Sequence, residues 1–379
     1  MDSLNKLYKN ILGIVFIGCL ILVFSYNIIV PQRKFSESEN RVLQQKPKFS
    51  LSKLLKGKYT SDYEKYVADQ FPFRDFWIGV KSTSEKLIGK KDNNGVYLGK
   101  DDYLFQMFNK PSEESLKSRI ESINTFSSKN KEINKYFMLI PNSIKVLEDK
   151  LPNFASPEDQ KVYIDKVKNL LPSDIKFVDV YSSLKNKSDE YIYYRTDHHW
   201  TTKGAYYAYR TLGEAMNLSP KNEENFNITK ATDSFYGSMY SKSGFRNLKP
   251  DDIYLYLPKE EENLKVFYSD KNETFNSLYT MDNISKKDKY TVFFDGNHPL
   301  VKISTGLDNG KKLLILKDSY ANSFVPFLTE HFSEIYMIDL RFYNEDLSTL
   351  IQDNSIDNVL ILYNVNTFFE DNSINNIKF

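Results

Sequence analysis

Short apolar runs alternate with helix-like segments along most of this 379-residue chain. The runs are KYFMLI, IKFVDV, KKLLILK, EIYMIDL and NVLILYN, which begin at residues 135, 175, 311, 334 and 358. Such runs are typical of buried strands, and SPEDQ predicts a helix that starts with Ser156 at the cap and Pro157 in the first turn. Strands that alternate with helices form a largely parallel sheet that is covered on both faces. The alternation therefore predicts an α/β fold.

Residues 11–30 contain no charged side chain. A helix needs about 20 such residues to cross the hydrocarbon core of a membrane. The alternatives are a signal peptide and an uncleaved anchor, and the absence of a small-residue cleavage site in SYNIIVPQRKFSE favours the anchor. Lysines precede the segment, but Arg33 and Lys34 follow it, so the charges say little about orientation.

The chain divides into three predicted regions. Residues 1–31 form a cytoplasmic stub and the transmembrane anchor. Residues 32–110 are a juxtamembrane spacer and an N-terminal extension that is expected to pack on the main domain. Residues 111–379 form the main domain, with a hairpin-rich insertion near residues 226–295.

The composition excludes several kinds of partner and site. Lys plus Arg number 51 and Asp plus Glu number 50, so no overall electric field favours nucleic acid. The one cysteine, Cys19, lies inside the apolar segment. The rest of the chain therefore has no disulfide, no catalytic thiol and no cysteine-bound zinc. We predict no cofactor.

Asp197, His198, His199 and Trp200 are consecutive and include two of the four histidines. One interpretation is a metal site, because DHH phosphoesterases also carry Asp-His-His, but such sites need further ligands from separate strands. The other is an acid–base pair. In an extended segment Asp197 and His199 point the same way and His198 points to the opposite side. The carboxylate would fix the tautomer of His199 and stabilise its imidazolium, so we predict this pair and no metal.

The candidate nucleophile is Ser319, in LLILKDSYANSF. The strand ends at Lys317 and a helix is expected to follow, which places the hydroxyl on a tight strand-to-helix turn. Free backbone N–H groups and the positive end of the helix dipole stabilise an oxyanion at such a turn, once a base has removed the hydroxyl proton. A simple helix cap is the alternative explanation of Asp and Ser at this place.

The segment TDHHWTTKGAYYAY resembles the signature of the DHHW family and of the related alginate O-acetylation proteins AlgJ and AlgX, which are SGNH-hydrolase-like. SESENRVLQQKPKFS, YVADQFPFRDFW and VYLGKDDYLF are similar to segments that follow the anchor in that group. The resemblance runs in order from about Glu37 to the C-terminus and is patchy between Phe226 and Gly310. It implies an SGNH-hydrolase-like (flavodoxin-like) three-layer αβα sandwich behind an N-terminal transmembrane helix.

By this resemblance, Asp197 and His199 match the family's Asp-x-His pair, and Ser319 matches the nucleophile of its Gly-Asp-Ser turn. Lys317 stands where the family has glycine, which changes the turn or places a cation beside the site. The order Asp, His, Ser is the reverse of that in common SGNH esterases, as in the permuted topology of the alginate group. All three members of a catalytic triad are present.

For the oxyanion hole, the N–H of Ser319 is the first choice. Gly237, Tyr363, Asn364 and Asn142 are further candidates, because the loops at the strand ends of such a sheet gather around one crevice.

The neighbours of His199 have other expected roles. Trp200 is a candidate for stacking on a sugar ring, with packing beneath the motif as the alternative. His198 is expected to be a structural hydrogen-bonding residue. Thr201 and Thr202 are expected to cap a helix that continues to Met216 and holds His199 rigidly.

The resemblance and the triad together predict a membrane-anchored O-acetyltransferase whose catalytic domain lies on the extracytoplasmic side. It would acetylate hydroxyls of a cell-surface or secreted polysaccharide through an acyl-enzyme on Ser319. The resemblance also implies an MBOAT-type membrane protein that supplies the acetyl group. Two alternatives remain open: a carbohydrate O-acetyl esterase of the same fold, and a non-catalytic polysaccharide-binding or assembly protein.

Overall fold

The computed structural model describes residues 2–259 and 263–378, and the chain divides into two compact units. The first unit comprises the residues up to Lys90 together with Gly244–Arg246. The second comprises residues 91–243 and the chain from Asn247 onward. The domain boundaries that the sequence suggests, at residues 31 and 110, stay predictions.

The first unit begins with a long apolar helix, α1 (Asp2–Ile29). Its stretch Lys6–Tyr26 is long and apolar enough to cross a membrane, by length and composition, and its most apolar part is not buried. Further elements of this unit are β1 (Phe35–Ser36), β2 (Arg41–Val42), α2 (Leu51–Leu55), α3 (Lys58–Asp69) and α4 (Arg74–Leu87).

Ion pairs hold the polar stretch after α1 in a folded state. Arg41 donates hydrogen bonds of 2.5 and 2.9 Å to Asp69, and Arg74 binds Glu39 at 2.7 Å. The hydrogen bond from Arg41 keeps the pKa of Asp69 below its ordinary value. The stretch that the sequence predicts to be a spacer is therefore an ordered segment, because charged residues far apart in the sequence pair with one another.

The second unit begins with a small antiparallel sheet. Its strands are β3 (Asp92–Asn93), β4 (Val96–Leu98) and β5 (Leu104–Gln106). The later strands are β6 (Asn134–Ile140), β7 (Ile175–Phe177), β8 (Phe226–Phe235), β9 (Asp251–Pro258), β10 (Lys265–Tyr268), β11 (Glu273–Phe275), β12 (Leu300–Ser304), β13 (Lys312–Lys317), β14 (Glu334–Ile338) and β15 (Asn358–Asn364).

An eight-stranded sheet forms the centre of this unit, in the order β11-β10-β12-β14-β13-β15-β6-β7. The strands β14, β13, β15, β6 and β7 pair in parallel. The strands β12, β10 and β11 extend the edge at β14 with antiparallel pairings. The hairpin β8–β9 forms a separate two-stranded sheet within the segment predicted to insert hairpins.

Both faces of the large sheet are buried, as the apolar runs require. In β13, the side chains of Leu313 and Ile315 join one hydrophobic core, and those of Leu314 and Leu316 join the other. The helices that cover the faces are α5 (Glu113–Lys129), α7 (Gln160–Leu170), α11 (Leu347–Asp353) and α12 (Val365–Glu370) on one side, and α6 (Ser143–Val146), α8 (Tyr181–Lys185) and α9 (Thr202–Ala215) on the other. A further short helix, α10, spans Ser238–Ser243. The predicted three-layer α/β class with a mostly parallel sheet is confirmed.

One helix start differs from the prediction. The helix expected to begin at Ser156 and Pro157 begins at Gln160, and the Asp159 carboxylate accepts a hydrogen bond of 2.8 Å from the Lys161 N–H. Asp is a strong N-cap, so the helix starts at this carboxylate.

Candidate active site

The motif Asp197–Trp200 lies in a tight loop. An antiparallel bridge between Tyr193 and Trp200 closes this loop, and the Thr201 N–H donates to the Ile192 carbonyl at 2.9 Å. Residues 195–199 make consecutive bends and are not an extended strand. Helix α9 follows directly, with the Thr201 hydroxyl accepting from the Gly204 N–H at 3.3 Å, so the predicted cap is present. The loop is therefore fixed at its base by a bridge and a capped helix.

Asp197, His199 and Ser319 form a continuous hydrogen-bonded chain. The Asp197 Oδ1 lies 2.5 Å from the His199 Nδ1, and the His199 Nε2 lies 2.7 Å from the Ser319 Oγ. An ionised carboxylate only accepts hydrogen bonds, so Nδ1 carries the proton and Nε2 is free to accept the proton of the serine hydroxyl. Asp197 and His199 are buried, whereas Ser319 is partly exposed. This order of contacts is the one that activates a serine as a nucleophile.

Backbone contacts fix the Asp197 carboxylate on both oxygens. Its Oδ1 accepts the His199 N–H at 3.0 Å, and its Oδ2 accepts the Ser238 N–H at 2.7 Å. Burial alone would raise the pKa of Asp197. The charges of His198 and His199 and the hydrogen bonds from His199 and Ser238 outweigh that effect and hold the pKa below its ordinary value. Asp197 is therefore a carboxylate at neutral pH.

His198 does not point away from His199, contrary to the geometry expected of an extended segment. Because the loop is bent, the two rings lie side by side with their centroids 3.9 Å apart. The His198 Nδ1 is 2.7 Å from the Ser238 Oγ, and its carbonyl accepts a hydrogen bond from the Tyr320 hydroxyl. Burial and the neighbouring charge of His199 lower the pKa of His198.

The ring of His199 is held from its other side by Tyr290, a residue that no sequence pattern singles out. The two rings are nearly parallel, with centroids 3.8 Å apart and planes 11° from parallel. The Tyr290 hydroxyl donates to the Ser319 carbonyl at 3.1 Å and lies 3.1 Å from the Ser323 Oγ. Tyr290 thus connects the base to the turn that carries the nucleophile.

Ser319 lies on a tight turn at the carboxyl end of β13. The residues that follow form two 3₁₀ turns, Ser319–Ser323 and Val325–Leu328, where the sequence predicts an ordinary helix. Pro326 lacks a backbone N–H, so it cannot donate the hydrogen bond that would continue a regular α-helix. The helix-dipole contribution to anion binding is accordingly small. The Ser319 N–H nevertheless has no acceptor among the residues that the structure describes.

The carboxylate of Asp318 holds this turn in place through hydrogen bonds. Its Oδ1 accepts the Tyr320 N–H at 2.9 Å, and its Oδ2 accepts two hydrogen bonds from Asn364, at 2.8 Å from N–H and 2.6 Å from Nδ2. Burial raises the pKa of Asp318 to about 6 in spite of these bonds. Asp318 and Asn364 together hold the nucleophile turn against the end of β15.

Asn142 and Asn364 are buried beneath the turn and do not line an oxyanion site. The Asn142 Nδ2 donates to the Tyr320 hydroxyl at 2.9 Å and to the Asn364 Oδ1 at 3.1 Å. The Asn364 Nδ2 is taken by Asp318, as described. The side chain of Tyr363 lies in the core on the opposite face of the sheet from Trp200. Strand alternation places Tyr363 on the other face of the sheet, and the side chains of Asn142 and Asn364 are already hydrogen-bonded. These three predicted candidates are therefore structural.

Gly237 supports Asp197 and is not an oxyanion donor. Its N–H is bound to the Thr196 hydroxyl at 3.0 Å. A Cβ atom at this position would lie 2.2 Å from the Asp197 Cβ and 2.4 Å from its Oδ2. Only glycine lets the backbone approach the carboxylate this closely.

Trp200 is fully buried, so it cannot stack on a sugar. Its indole Nε1 donates to the Tyr320 carbonyl at 3.0 Å, and its ring stacks on Phe324. Trp200 is therefore a packing residue, as the alternative to sugar stacking predicts. Its contacts join the loop of His199 to the turn of Ser319.

Lys317 is buried behind the turn. Its ammonium donates to the Asn297 Oδ1 at 2.7 Å and to the Asn322 Oδ1 at 2.8 Å, and it lies 4.0 Å from the Asp339 carboxylate. Burial lowers the pKa of Lys317 to about 8, although Asp339 acts in the opposite direction. The cation that replaces glycine is thus used in structural hydrogen bonds.

A metal at the motif would have to displace these contacts. Asp197, His198 and His199 offer ligand atoms within 4.8 Å of one another. Within the described parts of the chain, no other His, Cys, Asp or Glu joins this group. Each of the three residues already makes a short hydrogen bond to its neighbour or to a serine. Three ligand atoms on one loop are fewer than a two-metal site needs, so these residues fit an acid–base chain better.

The comparisons with known proteins agree with this architecture. Residues 93–338 match the model of the DHHW protein family. No match was found among curated proteins.

Solved structures superpose over most of the chain. A DHHW family protein from Eubacterium siraeum is 26% identical, with a TM-score of 0.65 over 75% of this chain and 95% of that one. Bacillus cereus PatB1, solved with a sulfonyl adduct, is 22% identical, with a TM-score of 0.64 over 73% of this chain and 97% of that one. The O-acetyltransferase domain of Pseudomonas putida AlgJ superposes more weakly, at 15% identity and a TM-score of 0.45 over 75% of this chain and 98% of that one.

Proposed function

The chain belongs to the DHHW family, and from this premise we propose that it is an O-acetyltransferase that modifies hydroxyls of a cell-surface or secreted polysaccharide. One observation carries the proposal: the hydrogen-bonded chain from Asp197 through His199 to Ser319. Its geometry supports acyl transfer through a covalent serine intermediate.

In the first half-reaction Ser319 would take an acetyl group from a donor ester. The Ser319 Oγ forms a bond to the acetyl carbonyl carbon while its proton passes to the His199 Nε2. Asp197 stabilises the imidazolium that results. The Ser319 N–H, which has no acceptor among the described residues, stabilises the developing oxyanion. The donor oxygen then leaves with the proton from His199, and acetyl-Ser319 remains.

In the second half-reaction a sugar hydroxyl would replace the donor. The neutral His199 accepts the hydroxyl proton while the sugar oxygen attacks the acetyl carbonyl of the acyl-enzyme. The bond to the Ser319 Oγ breaks, and His199 returns the proton to that oxygen. With water in place of the sugar, the same steps would make the protein an esterase.

The acetyl group, the polysaccharide and the cellular setting rest on the family resemblance. The apolar part of α1 supports a single membrane anchor, from which the second unit would face the extracytoplasmic side. The family resemblance also implies an MBOAT-type membrane protein that would supply the acetyl group on that side.

The proposal is tested with the full chain in detergent micelles, an activated acetyl ester and an oligosaccharide mixture. Mass spectrometry should show an acetyl group on Ser319 and, with saccharide present, acetylated sugar. The Ser319→Ala and His199→Ala variants should yield neither, and the Lys265→Gln variant, changed at an exposed strand position, should match the wild type.

The outcome distinguishes the three functions. Release of acetate without acetylated sugar would identify an esterase. Cellular polysaccharide acetylation that persists in both alanine variants at normal protein levels would identify a non-catalytic protein.

A further inference from the structure

A cavity of about 480 Å³ opens next to the loop that carries Asp197 and His199, apart from the hydrogen-bonded chain of the candidate site. Residues on both sides of that loop contribute to its wall, and two tyrosines of the hairpin β8–β9 close it. The residues that the argument uses are Tyr191, Arg195, Lys203, Asp252, Tyr254 and Tyr256.

Arg195 is the cation in this wall that lacks a hydrogen-bonded partner. None of its guanidinium N–H groups donates to a residue that the structure describes, and its nearest carboxylate oxygen, on Asp251, is 3.8 Å away. The guanidinium lies over the ring of Tyr191 at 4.7 Å and remains 30% exposed. A planar guanidinium with free donors is suited to a carboxylate or phosphate group.

The other charged side chains of the wall already have polar partners, and one of them, Glu223, accepts the Tyr256 hydroxyl without an ion pair among the residues that the structure describes. Lys203 binds Glu190 at 2.6 Å, and Asp252 binds Lys230 at 3.0 Å. Lys203 and Asp252 therefore do not need a ligand to neutralise their charges. Arg195 is therefore the cation of this wall whose hydrogen-bond donors remain available to a ligand, among the residues that the structure describes.

Aromatic rings supply the apolar part of the cavity. Tyr191 and Tyr254 are partly exposed, and Tyr256 is buried with its hydroxyl donating to Glu223 at 2.6 Å. Ligand sites commonly combine aromatic walls with a few polar groups that fix the orientation. An aromatic wall of this kind suits the C–H face of a sugar ring.

The cavity is joined to the candidate active site through Asp251. This buried carboxylate accepts hydrogen bonds from the Tyr191 hydroxyl, from the Arg195 N–H at 2.8 Å and from both donors of Thr196. Arg195 precedes Asp197 by two residues, so their Cα atoms are at most about 7 Å apart. A polymer held by Arg195 therefore lies close to the loop that holds His199.

We propose that this cavity binds an acidic sugar unit of the acceptor polysaccharide, with the ring on Tyr191 and Tyr254 and the anionic group on Arg195. The identification of the ligand as an acceptor saccharide rests on the proposed function. The cavity would hold a unit beside the one that receives the acetyl group.

The test measures binding without any acetyl donor, so it does not depend on catalysis. Ligand-observed NMR on the full chain in detergent micelles compares hyaluronan tetrasaccharide, which carries carboxylates, with neutral chitotetraose. N-acetylglucosamine 6-phosphate, measured against N-acetylglucosamine, reports on phosphate. We expect at least one anionic probe to bind more tightly than its neutral counterpart, and the arm that does so identifies the acid.

Variants then locate the site. Arg195→Met should weaken binding of that anionic probe about tenfold or more, because charge-assisted hydrogen bonds are lost. Tyr254→Ala should weaken it as well, Tyr254→Phe should retain it, and Lys265→Gln should leave it unchanged. Thermal melts identify any variant that fails to fold.

Equal binding of the anionic and neutral probes would overturn the proposal, as would full binding by Arg195→Met and Tyr254→Ala. Anionic binding that these variants lose, in a protein that acetylates no sugar, would retain the site and reject the transferase.

Discussion

The imidazole of His199 lies flat against the phenol ring of Tyr290, with ring centroids 3.8 Å apart and planes 11° from parallel. This contact fixes the plane in which the Nε2 atom meets the Ser319 Oγ. A cation over a tyrosine face gains about 0.5–2 kcal/mol, so the ring also favours the imidazolium that forms during acyl transfer. Tyr290 is thus predicted to be a positioning residue.

We expect Tyr290→Leu to lower kcat on an activated acetyl ester about tenfold. Tyr290→Phe keeps the stacked ring and loses only the hydroxyl contacts with Ser319 and Ser323, so its kcat should stay within a few-fold of the wild type. Steady-state kinetics and a far-UV melt check both. A Phe variant as slow as the Leu variant would assign the effect to the hydrogen bonds.

Asp197→Asn tests the carboxylate that orients His199. An amide at this place favours the wrong tautomer, and in serine enzymes with such a triad this change costs on the order of 10⁴ in kcat. We expect a loss of that order in kcat even though the variant retains the Ser319 and His199 side chains. An activity within tenfold of the wild type would show that Asp197 does not orient the base.

We expect the same variant to change how the free energy of unfolding depends on pH in acid. The folded pKa of Asp197 lies below the unfolded value of about 3.9, so its charged form stabilises the fold above that pH and the contribution is lost as the pH falls through the folded pKa. Asp197→Asn should therefore flatten the acid side of the stability curve. Urea unfolding between pH 3 and pH 7 measures it, with the exposed Asp233→Asn as control.

Local patterns in the sequence are sufficient to predict the five parallel strands of the large sheet, the apolar helix α1 and helix α9. The run LLIL in β13 is buried on both faces because it is uniformly apolar, and a parallel sheet is where such a run is stable. The start of the helix at Gln160 was missed because two acceptable caps, Ser156 and Asp159, lie within one turn. Competition between caps is decided by the rest of the fold.

The sequence predicts that Asp197 and His199 meet, but it does not predict the geometry of their contact. Asp197 and His199 do meet, but through a bent loop, and the alternation that was expected to separate His198 is absent. Tyr290 and Asp251 approach the loop from distant segments. No local pattern marks such residues, because their role comes only from contacts made across the folded chain.

His198→Gln separates an acid–base chain from a metal site. The His198 ring is hydrogen-bonded to the Ser238 hydroxyl, whereas the His199 ring is hydrogen-bonded to the Ser319 hydroxyl. We expect His198→Gln to retain ester turnover within a few-fold and His199→Gln to lose it. In a metal centre both histidines would be ligands, so equal losses that added manganese restores would contradict the prediction.

Because Lys317 is buried, we expect the stability of the protein to rise in mild alkali. Its folded pKa, about 8, lies below the ordinary value of 10.5, so the unfolded chain binds more protons between these values. The free energy of unfolding should therefore increase relative to Lys317→Met as the pH rises from about 8 to 10, by roughly 2 kcal/mol. Urea unfolding of both proteins measures the difference. A constant difference across this range would show that burial does not perturb Lys317, and Lys265→Gln controls for an exposed lysine.

Gly237→Ala tests the support beneath Asp197. The added Cβ would lie 2.2 Å from the Asp197 Cβ, so either the carboxylate or the backbone of α10 must move. Because a misplaced base partner costs far more in the transition state than in the folded ground state, we expect kcat to fall about a hundredfold. Gly79→Ala, where the nearest atom is 3.7 Å from the new Cβ, should have no effect on kcat. If Gly237→Ala retains wild-type kcat and stability, the close approach of Gly237 to Asp197 does not position the carboxylate.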